Sequence, residues 1–378
     1  MSTVRVFTRH GQLDELAAPW QAVAEASPGA SVFQTWQWQR AWWRHLSRGA
    51  QPLILLVEKG GAPIGIAPLA RKAIAGLPLR RLQFSGTGVS DYLDFLFLPS
   101  AEEEFWQAVS EALARLRGSW DLLDLHQIPE GSATLWGLPA ACARLGWRSE
   151  LLPQEVCPGL QLPSSWERLL ASFNKKSRFR VKYYRRLAER ELSSSWRIVE
   201  GQQEAAAAME QLFTLHAARW RSRGLPGMLF EERRRRFHRE IALSFADKGW
   251  LKLYLAGDEG AAAAALYCFD YKNVVYYYLG GFHPGYARYS LGTVLVGRAI
   301  EKAIEAGRSR FDFLRGAEPY KYQWGARDQL NRCLRVIPPG LGPRCAAGFA
   351  RSGQALEKRL KQSFQKWLLR RRPRKEGR

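Results

Sequence analysis

The chain has 378 residues, 46% of them hydrophobic and 12% aromatic, with a formal net charge of +22. That length suits two domains, and that apolar content excludes a disordered polymer. Nowhere do about 18 uncharged apolar residues follow one another, which excludes a membrane-spanning helix, and the opening MSTVRVFTRHGQLDELAAP has no run of signal-peptide type. In chain order, the patterning predicts a strand at 4–7, helices at 13–26 and 35–46, and a hairpin at 52–70. Strands near 82–84 and 92–98, a helix over 101–117 and a strand at 122–125 follow. The Trp-rich run TWQWQRAWWRHL in the second helix reads as a helix-packing surface.

Between Lys175 and Arg190, eight Lys/Arg against Glu189 leave +7. Phe173, Ser177, Val181, Tyr184 and Ala188 share one face there, and Lys175, Arg178, Lys182 and Arg186 the opposite one, so the segment is an amphipathic helix with a basic stripe. A strand at 196–199, helices at 204–221 and 231–245, and a hairpin over 251–269 turning at Asp258-Glu259-Gly260 come next. The aromatic strand 274–282, a helix at 291–306, and strands at 310–314 and 332–337 complete the second half. A last helix carries Phe349, Gly353, Leu356, Leu360, Phe364 and Trp367 on one stripe. From Arg351 to the end, eleven Lys/Arg against two Glu leave +9. Two local basic patches are a partner signal, where an evenly basic surface would signal only solubility. The order hairpin, strand, helix, strand occurs twice, which suggests duplication. The expected division is 1–163, then 164–340 with a basic connecting helix at 164–192, then a basic helix and tail at 341–378. Five cysteines with no CxxC pair point to reduced thiols in the cytoplasm and to no metal site.

The segment from Tyr276 to Trp324 carries the chemistry. An aromatic strand ends in Gly280-Gly281, where backbones can approach closely. A loop with Arg288, Ser290 and Gly292 feeds a helix start, which is a ready anion site. Asp312 and Arg315 end the next strand, and Glu318, Tyr320, Lys321, Tyr322 and Trp324 lie on the loop beyond it. The alternation of Tyr276-Tyr277-Tyr278 places these rings mostly in the core with one facing a cleft. His216 reads as a satisfied, partly buried histidine. His283 is a lesser candidate for an acceptor site.

The pattern FDFLRGAEPYKYQWG, preceded by an LGT helix start, resembles the BioF-like branch of the GNAT acyltransferase superfamily, including CelD-type proteins of polysaccharide synthesis. That branch is similar to the Fem-type aminoacyl transferases. The resemblance runs over most of residues 165–337 and includes NKKSRFRVKYYRRL and LHAARW; residues 1–160 share it in outline. It implies an α/β (α+β) fold of two tandem GNAT-like domains, each a mixed, mostly antiparallel sheet flanked by helices, the first degenerate and the second catalytic. It also implies that Arg288, Ser290, Leu291, Gly292 and Thr293 cradle the pyrophosphate of an acyl donor, acetyl-CoA or another acyl-CoA. Tyr320-Lys321 would then lie near the acyl carbonyl. The loop departs from the usual Arg/Gln-x-x-Gly-x-Gly/Ala pattern, because only Gly292 is present and Arg288 stands one residue too far from it; a tRNA-borne aminoacyl donor stays open.

On this reading Asp312 or Glu318 is the base, Lys321 stabilises the oxyanion, and Tyr320 or Tyr278 protonates the leaving group. Tyr278, Arg315, Trp220 and Trp324 contact substrate. Asp312 alternatively only caps or pairs with Arg315. The expected reaction is N-acyl transfer onto an amino or hydroxyl group of a cell-envelope or exopolysaccharide precursor, saccharide or lipid-linked. The basic tail at 358–378 suits peripheral contact with the inner face of an anionic membrane, and the stripe near 175–186 suits tRNA. A Fem-type aminoacyl transferase and a non-catalytic tandem scaffold remain alternatives.

Overall fold

The structure, a computed structural model, describes residues 2–74, 76–192, 195–222, 224–258 and 261–353. The first half runs β1 (Ser2–Phe7), α1 (Ala17–Ala26), α2 (Trp36–His45), β2 (Gln51–Lys59), β3 (Ala62–Ala73), β4 (Arg80–Phe84), β5 (Leu96–Phe97), α3 (Glu102–Arg115) and β6 (Leu122–Pro129). It continues with α4 (Thr134–Ala143), β7 (Arg148–Val156) and β8 (Gly159–Gln161). The second half comprises α5 (Trp166–Ser172), α6 (Lys175–Glu191), β9 (Ser195–Val199), α7 (Gln202–Arg221), α8 (Glu232–Asp247), β10 (Leu251–Asp258), β11 (Ala261–Tyr271) and β12 (Val274–Phe282). The chain then forms α9 (Leu291–Glu305), β13 (Arg310–Asp312), α10 (Pro319–Tyr322) and β14 (Leu330–Ile337).

One sheet has the order β1-β2-β3-β4-β6-β14-β7, with β5 paired to β3; the other has β8-β13-β12-β11-β10-β9. Among the described residues, only β4–β6 and β12–β13 pair in parallel. Each sheet is therefore mixed and mostly antiparallel with helices on both faces, as expected. The sheets also exchange strands. Leu330–Ile337, expected as the last strand of the second half, inserts between β6 and β7 of the first sheet. Gly159–Gln161, which lies before the expected boundary at 163, pairs with β13 of the second. The reason is connectivity: β7 leaves the edge of one sheet and runs within three residues into the edge of the other.

A shared core joins the halves. Trp38 of α2 meets Phe237 of α8 at 4.9 Å between ring centroids and Phe269 of β11 at 5.8 Å, both edge-on. All four tryptophans of α2 are buried, so the Trp-rich run is packing surface. Edge-on rings add about 0.5–1.5 kcal/mol each beyond burial of their area. On the opposite face of the second sheet, α9 covers β11 and β12 through Leu295, Ala299 and Ile300 against Leu266, and α6 packs on α9. Four of the five cysteines are buried free thiols and Cys345 is exposed.

Two expectations at strand level change. The region 92–98 is a strand only at Leu96–Phe97, because Leu93 N–H bonds Gln127 O and the Asp94 carboxylate turns back to Phe95 N–H and Thr134 Oγ1. The turn at 258–260 lies partly, and the basic tail at 358–378 with most of the last helix wholly, outside the described residues. No described helix is long and apolar enough to cross a membrane.

Candidate functional site

The second sheet parts between β12 and β13, which pair only over Val274–Tyr276 and Arg310–Asp312, while β12 stays paired to β11 as far as Phe282. Leu279 pairs with Tyr267, but the next pair is Tyr277 with Cys268, so Tyr278 is the extra residue of a β-bulge. Further along β12, Gly281 has no side chain to hold α7 off. A Cβ on Gly281 would stand 2.6 Å from His216 N and 2.8 Å from the Leu215 carbonyl carbon. The close approach brings Arg219 of α7 over the strand end, where its Nη1 donates to Gly280 O at 3.0 Å and its guanidinium stacks 4.9 Å from the Phe282 ring.

Two cavities meet here. The first, about 280 Å³, is lined by Ser290, Leu291, Gly292 and Thr293 at the start of α9, by Arg180 and Val181 of α6, and by Tyr286 and Trp324. Ser290, in the left-handed region at φ +49°, turns the chain into α9, and its carbonyl accepts from Thr293 and Val294 N–H. Leu291 and Gly292 precede Thr293, the first N–H to find an acceptor at this helix start, so their own N–H groups have no partner within the helix. The first turn of α9 carries no acidic side chain. The helix dipole and the Arg180 guanidinium make this end of the cavity favourable for an anion. The second cavity, about 500 Å³, lies between the halves, lined by Gly88, Val89 and Asp91 on one side and by His216, Trp220, Tyr278, Arg315 and Glu318 on the other. Arg219, Tyr277, Gly280 and Tyr320 line both cavities.

At that shared wall Tyr277 and Tyr320 are hydrogen-bonded to each other through their side chains. Burial pushes both phenols above their ordinary range, so at neutral pH each is an O–H donor and neither is a base. Arg219 Nε is buried without a hydrogen-bond partner among the described residues. It is a cationic donor available to something placed at the junction.

The expected site residues divide. Ser290, Leu291, Gly292, Thr293 and Trp324 line the first cavity; Tyr278, Arg315, Trp220, Glu318 and Lys321 line the second; Tyr320 lines both. Arg288 does not line the first cavity. Its guanidinium lies 4.5 Å over the Tyr289 ring and pairs with Glu191 at 3.2 Å. Asp312 lines neither cavity: buried, it accepts from Arg310 Nη2 at 2.7 Å, Tyr92 O–H at 2.9 Å and Leu314 N–H at 2.8 Å. Burial pushes its carboxyl up against the pull of Arg310. Its partner is thus Arg310 and not Arg315, whose guanidinium pairs with buried Asp91 and donates to Ser90 O. Lys321 is buried, and its Nζ donates to the carbonyls of Leu314, Arg315 and Gly316 at 3.0, 2.8 and 2.9 Å, with Glu318 at 2.9 Å. All three ammonium protons are engaged, so the side chain ties the 314–316 loop. Tyr278 O–H donates to Val89 O at 2.8 Å across the halves.

His216 is buried but not satisfied: Nδ1 has no partner among the described residues. Burial and then Arg219 and Arg235 lower it to about 4, so it is neutral. His283 lies in the loop after β12, and its Nδ1 accepts from Gly285 N–H. The sequence reading missed Arg180, Arg219, Tyr277 and Tyr286. Arg219 stood in the LHAARW run, and Tyr277 belongs to the aromatic trio, of which it and Tyr278 both line a cavity.

Asp124, His126 and Cys333 also cluster, their potential ligand atoms within 4.8 Å of one another. Burial alone would lower His126, but hydrogen bonds to Asp124 and Cys333 raise it to about 10. Arg335 Nε holds the same Asp124 carboxylate at 2.8 Å. Arg81 approaches the same carboxylate at 3.9 Å, so these side chains belong to one ion-pair network.

A mixed sheet whose strands β12 and β13 part beside a helix N-terminus, accompanied by a second mixed sheet, is the arrangement of a tandem GNAT-like fold. Residues 175–322 match the family described as acetyltransferase (GNAT) domain. No curated protein matches the sequence. In fold it is similar to the crystal structure of FemX, at 12% identity and TM-score 0.62 over 88% of this chain and 96% of that one. It is also similar to the C-terminal domain of a putative lysylphosphatidylglycerol synthetase from Agrobacterium fabrum, at 12% identity and TM-score 0.53 over 90% and 96%. L-PGS from Bacillus licheniformis matches at 11% and 0.53 over 85% and 91%.

Proposed function

We propose that the chain transfers an acyl group, acetyl from CoA in the first instance, onto an amino or hydroxyl group of a cell-envelope or exopolysaccharide precursor. One observation carries this: two cavities, one on open helix amides and one between the halves, share a wall of Arg219, Tyr277, Gly280 and Tyr320. The donor's anionic end sits on the Leu291 and Gly292 amides, and its thioester reaches the shared wall. The acceptor enters from the second cavity. Its nitrogen or oxygen bonds the carbonyl carbon, losing a proton to water or to Glu318, the carboxylate at the cavity whose side chain is 55% exposed. The carbon–sulfur bond breaks, and the departing thiolate takes a proton from Tyr320, resupplied through Tyr277. Arg219 steadies the developing oxyanion. Lys321 positions the loop that carries Tyr320.

The division 1–163 and 164–340, adjusted for the exchanged strands, and a cytoplasmic location with the basic tail against the inner membrane face belong to the same reading. A second reading, aminoacyl transfer from tRNA, draws support from α6. There exposed Phe179 and Tyr183 stack at 5.8 Å on a basic helix whose Arg180 lines the donor cavity. The lysylphosphatidylglycerol synthetases also name a lysyl product.

The deciding experiment is a thermal-shift panel of CoA thioesters against charged and uncharged tRNA, followed by thiol release from acetyl-CoA with amino-sugar acceptors. Stabilisation by CoA thioesters with thiol release supports the first reading. A shift by charged tRNA alone transfers the assignment to the second. No shift by either, with no release, removes the catalytic proposal.

A further inference from the structure

A third cavity, about 220 Å³, opens beside the second and shares Gly88, Val89 and Arg234 with it. It is lined by Arg48 just after α2, Lys72 of β3, Arg81 of β4 and Arg234 of α8, and no carboxylate is among its lining residues. Lys72 and Arg81 stand directly opposite each other in the β3–β4 register, where like charges destabilise a sheet. Their neutralisation is incomplete. Glu231 is divided among Arg48, Arg233 and Arg234 at 2.5, 3.0 and 3.6 Å. Arg81 reaches Asp124 only at 3.9 Å, a carboxylate already held by Arg335 and His126. Lys72 has no carboxylate within 4 Å among the described residues, and Arg81 Nε is buried without a hydrogen-bond partner. Burial, then Arg81 and Arg48, depress the Lys72 ammonium, as expected where cations face one another without a counter-ion.

A cavity that gathers four cations at a sheet position hostile to them is stabilised when a multivalent anion fills it. A single carboxylate would leave most of that charge uncompensated, whereas a diphosphate offers several negative charges and acceptor oxygens to guanidinium and ammonium donors. Because the cavity continues the acceptor side, its ligand is part of the acceptor. The geometry points to an acceptor that is a diphosphate ester. Its diphosphate lies among Arg48, Lys72, Arg81 and Arg234, and its reactive amino or hydroxyl group lies at Tyr277 and Tyr320. The inference rests on the proposed function for the direction of transfer, and not for the existence of the anion site.

The test is calorimetric titration of the full chain with inorganic pyrophosphate, alone and with coenzyme A at saturation. UDP-N-acetylglucosamine and a short-chain polyprenyl diphosphate in detergent serve as separate arms for the nucleotide-linked and lipid-linked sources. Pyrophosphate binding that persists under saturating coenzyme A and weakens roughly tenfold in each of Lys72→Gln and Arg234→Gln is the expected result. Arg180→Gln, in the first cavity, should weaken coenzyme A and leave pyrophosphate binding as it was. Arg48→Gln, 43% exposed, supplies a third cavity variant should Arg234→Gln fail to fold. No pyrophosphate binding at millimolar concentration, or binding untouched by the cavity variants, overturns the inference. Failure of coenzyme A binding with pyrophosphate binding retained would count against the donor assignment alone.

Discussion

Replacing Lys321 with Met tests whether this lysine is a strut or a reactant. The substitution keeps most of the aliphatic stem and removes three N–H donors, each bonded to a backbone carbonyl of residues 314–316. Hydrogen bonds from a charged donor contribute about 1.5–3 kcal/mol apiece. Arg315 and Gly316 are only half-buried, so their freed carbonyls recover water, and removing a buried ammonium relieves some desolvation. The pair with Glu318, half in solvent, contributes little. A net loss of about 2–3 kcal/mol follows. For 378 residues, an unfolding entropy of about 2.1 cal/mol/K per residue converts this to a fall in Tm of about 3–4 °C. Scanning calorimetry beside thiol-release kinetics checks it. A variant melting within 1 °C of the parent but lacking turnover would refute the strut and return Lys321 to the reaction itself.

Other substitutions separate the remaining parts. Gly281→Val drives a side chain into the backbone of Leu215 and His216; it should cost about 1–3 kcal/mol by chemical denaturation and weaken donor binding, and a neutral outcome would mean α7 can move off the strand. Tyr320→Phe should lower kcat about 10²-fold with donor Kd little changed, and Tyr277→Phe should act in the same direction. Tyr278→Phe, by contrast, should cost about 1 kcal/mol of stability with a small effect on rate, since its O–H bonds Val89 O. His126, raised to about 10 in the fold from an ordinary 6.5, contributes stability that is complete below pH 6.5 and lost as pH rises toward 10. Urea midpoints at pH 6, 8 and 9.5 should fall in that order and flatten in His126→Gln; equal slopes in parent and variant would contradict the assignment.

Elements with a clear period were legible from sequence: the two hairpins, the helices at α3, α7, α8 and α9, and the aromatic strand. Those without one were not. α4 contains Pro139 in its interior, and β7 reads RSELLPQEV, charged and Pro-containing, because it lies at the sheet edge where its outer side chains meet water. In the site, the local signals carried through: Gly281 of the Gly280-Gly281 pair for the close approach of α7, and Ser290 to Thr293 for the helix start. Acid–base partners did not, since they are set by contacts far apart in sequence. Nothing near Arg315 announces Asp91, 224 positions away, and nothing near Asp312 announces Tyr92, 220 positions away.

Those distant partners explain why the cavity in front of the shared wall needs both halves. Gly159 of β8, opposite Asp312 in the exchanged strand pair, has no side chain; a Cβ there would stand 2.2 Å from the Arg310 guanidinium. The missing methyl lets Arg310 lie back along β13 to Asp312, which then receives Tyr92 from the first half. Next to that chain, Arg315 grips Asp91 and Tyr278 grips Val89. The loop following β4 is thereby fixed as the far wall of the second cavity, and the same loop also lines the cationic cavity. Burying these ions costs desolvation that a hydrophobic contact would not. What the ion pairs supply is direction: each is satisfied in one docking of the halves, and that docking sets the depth of the cavity in front of Tyr320.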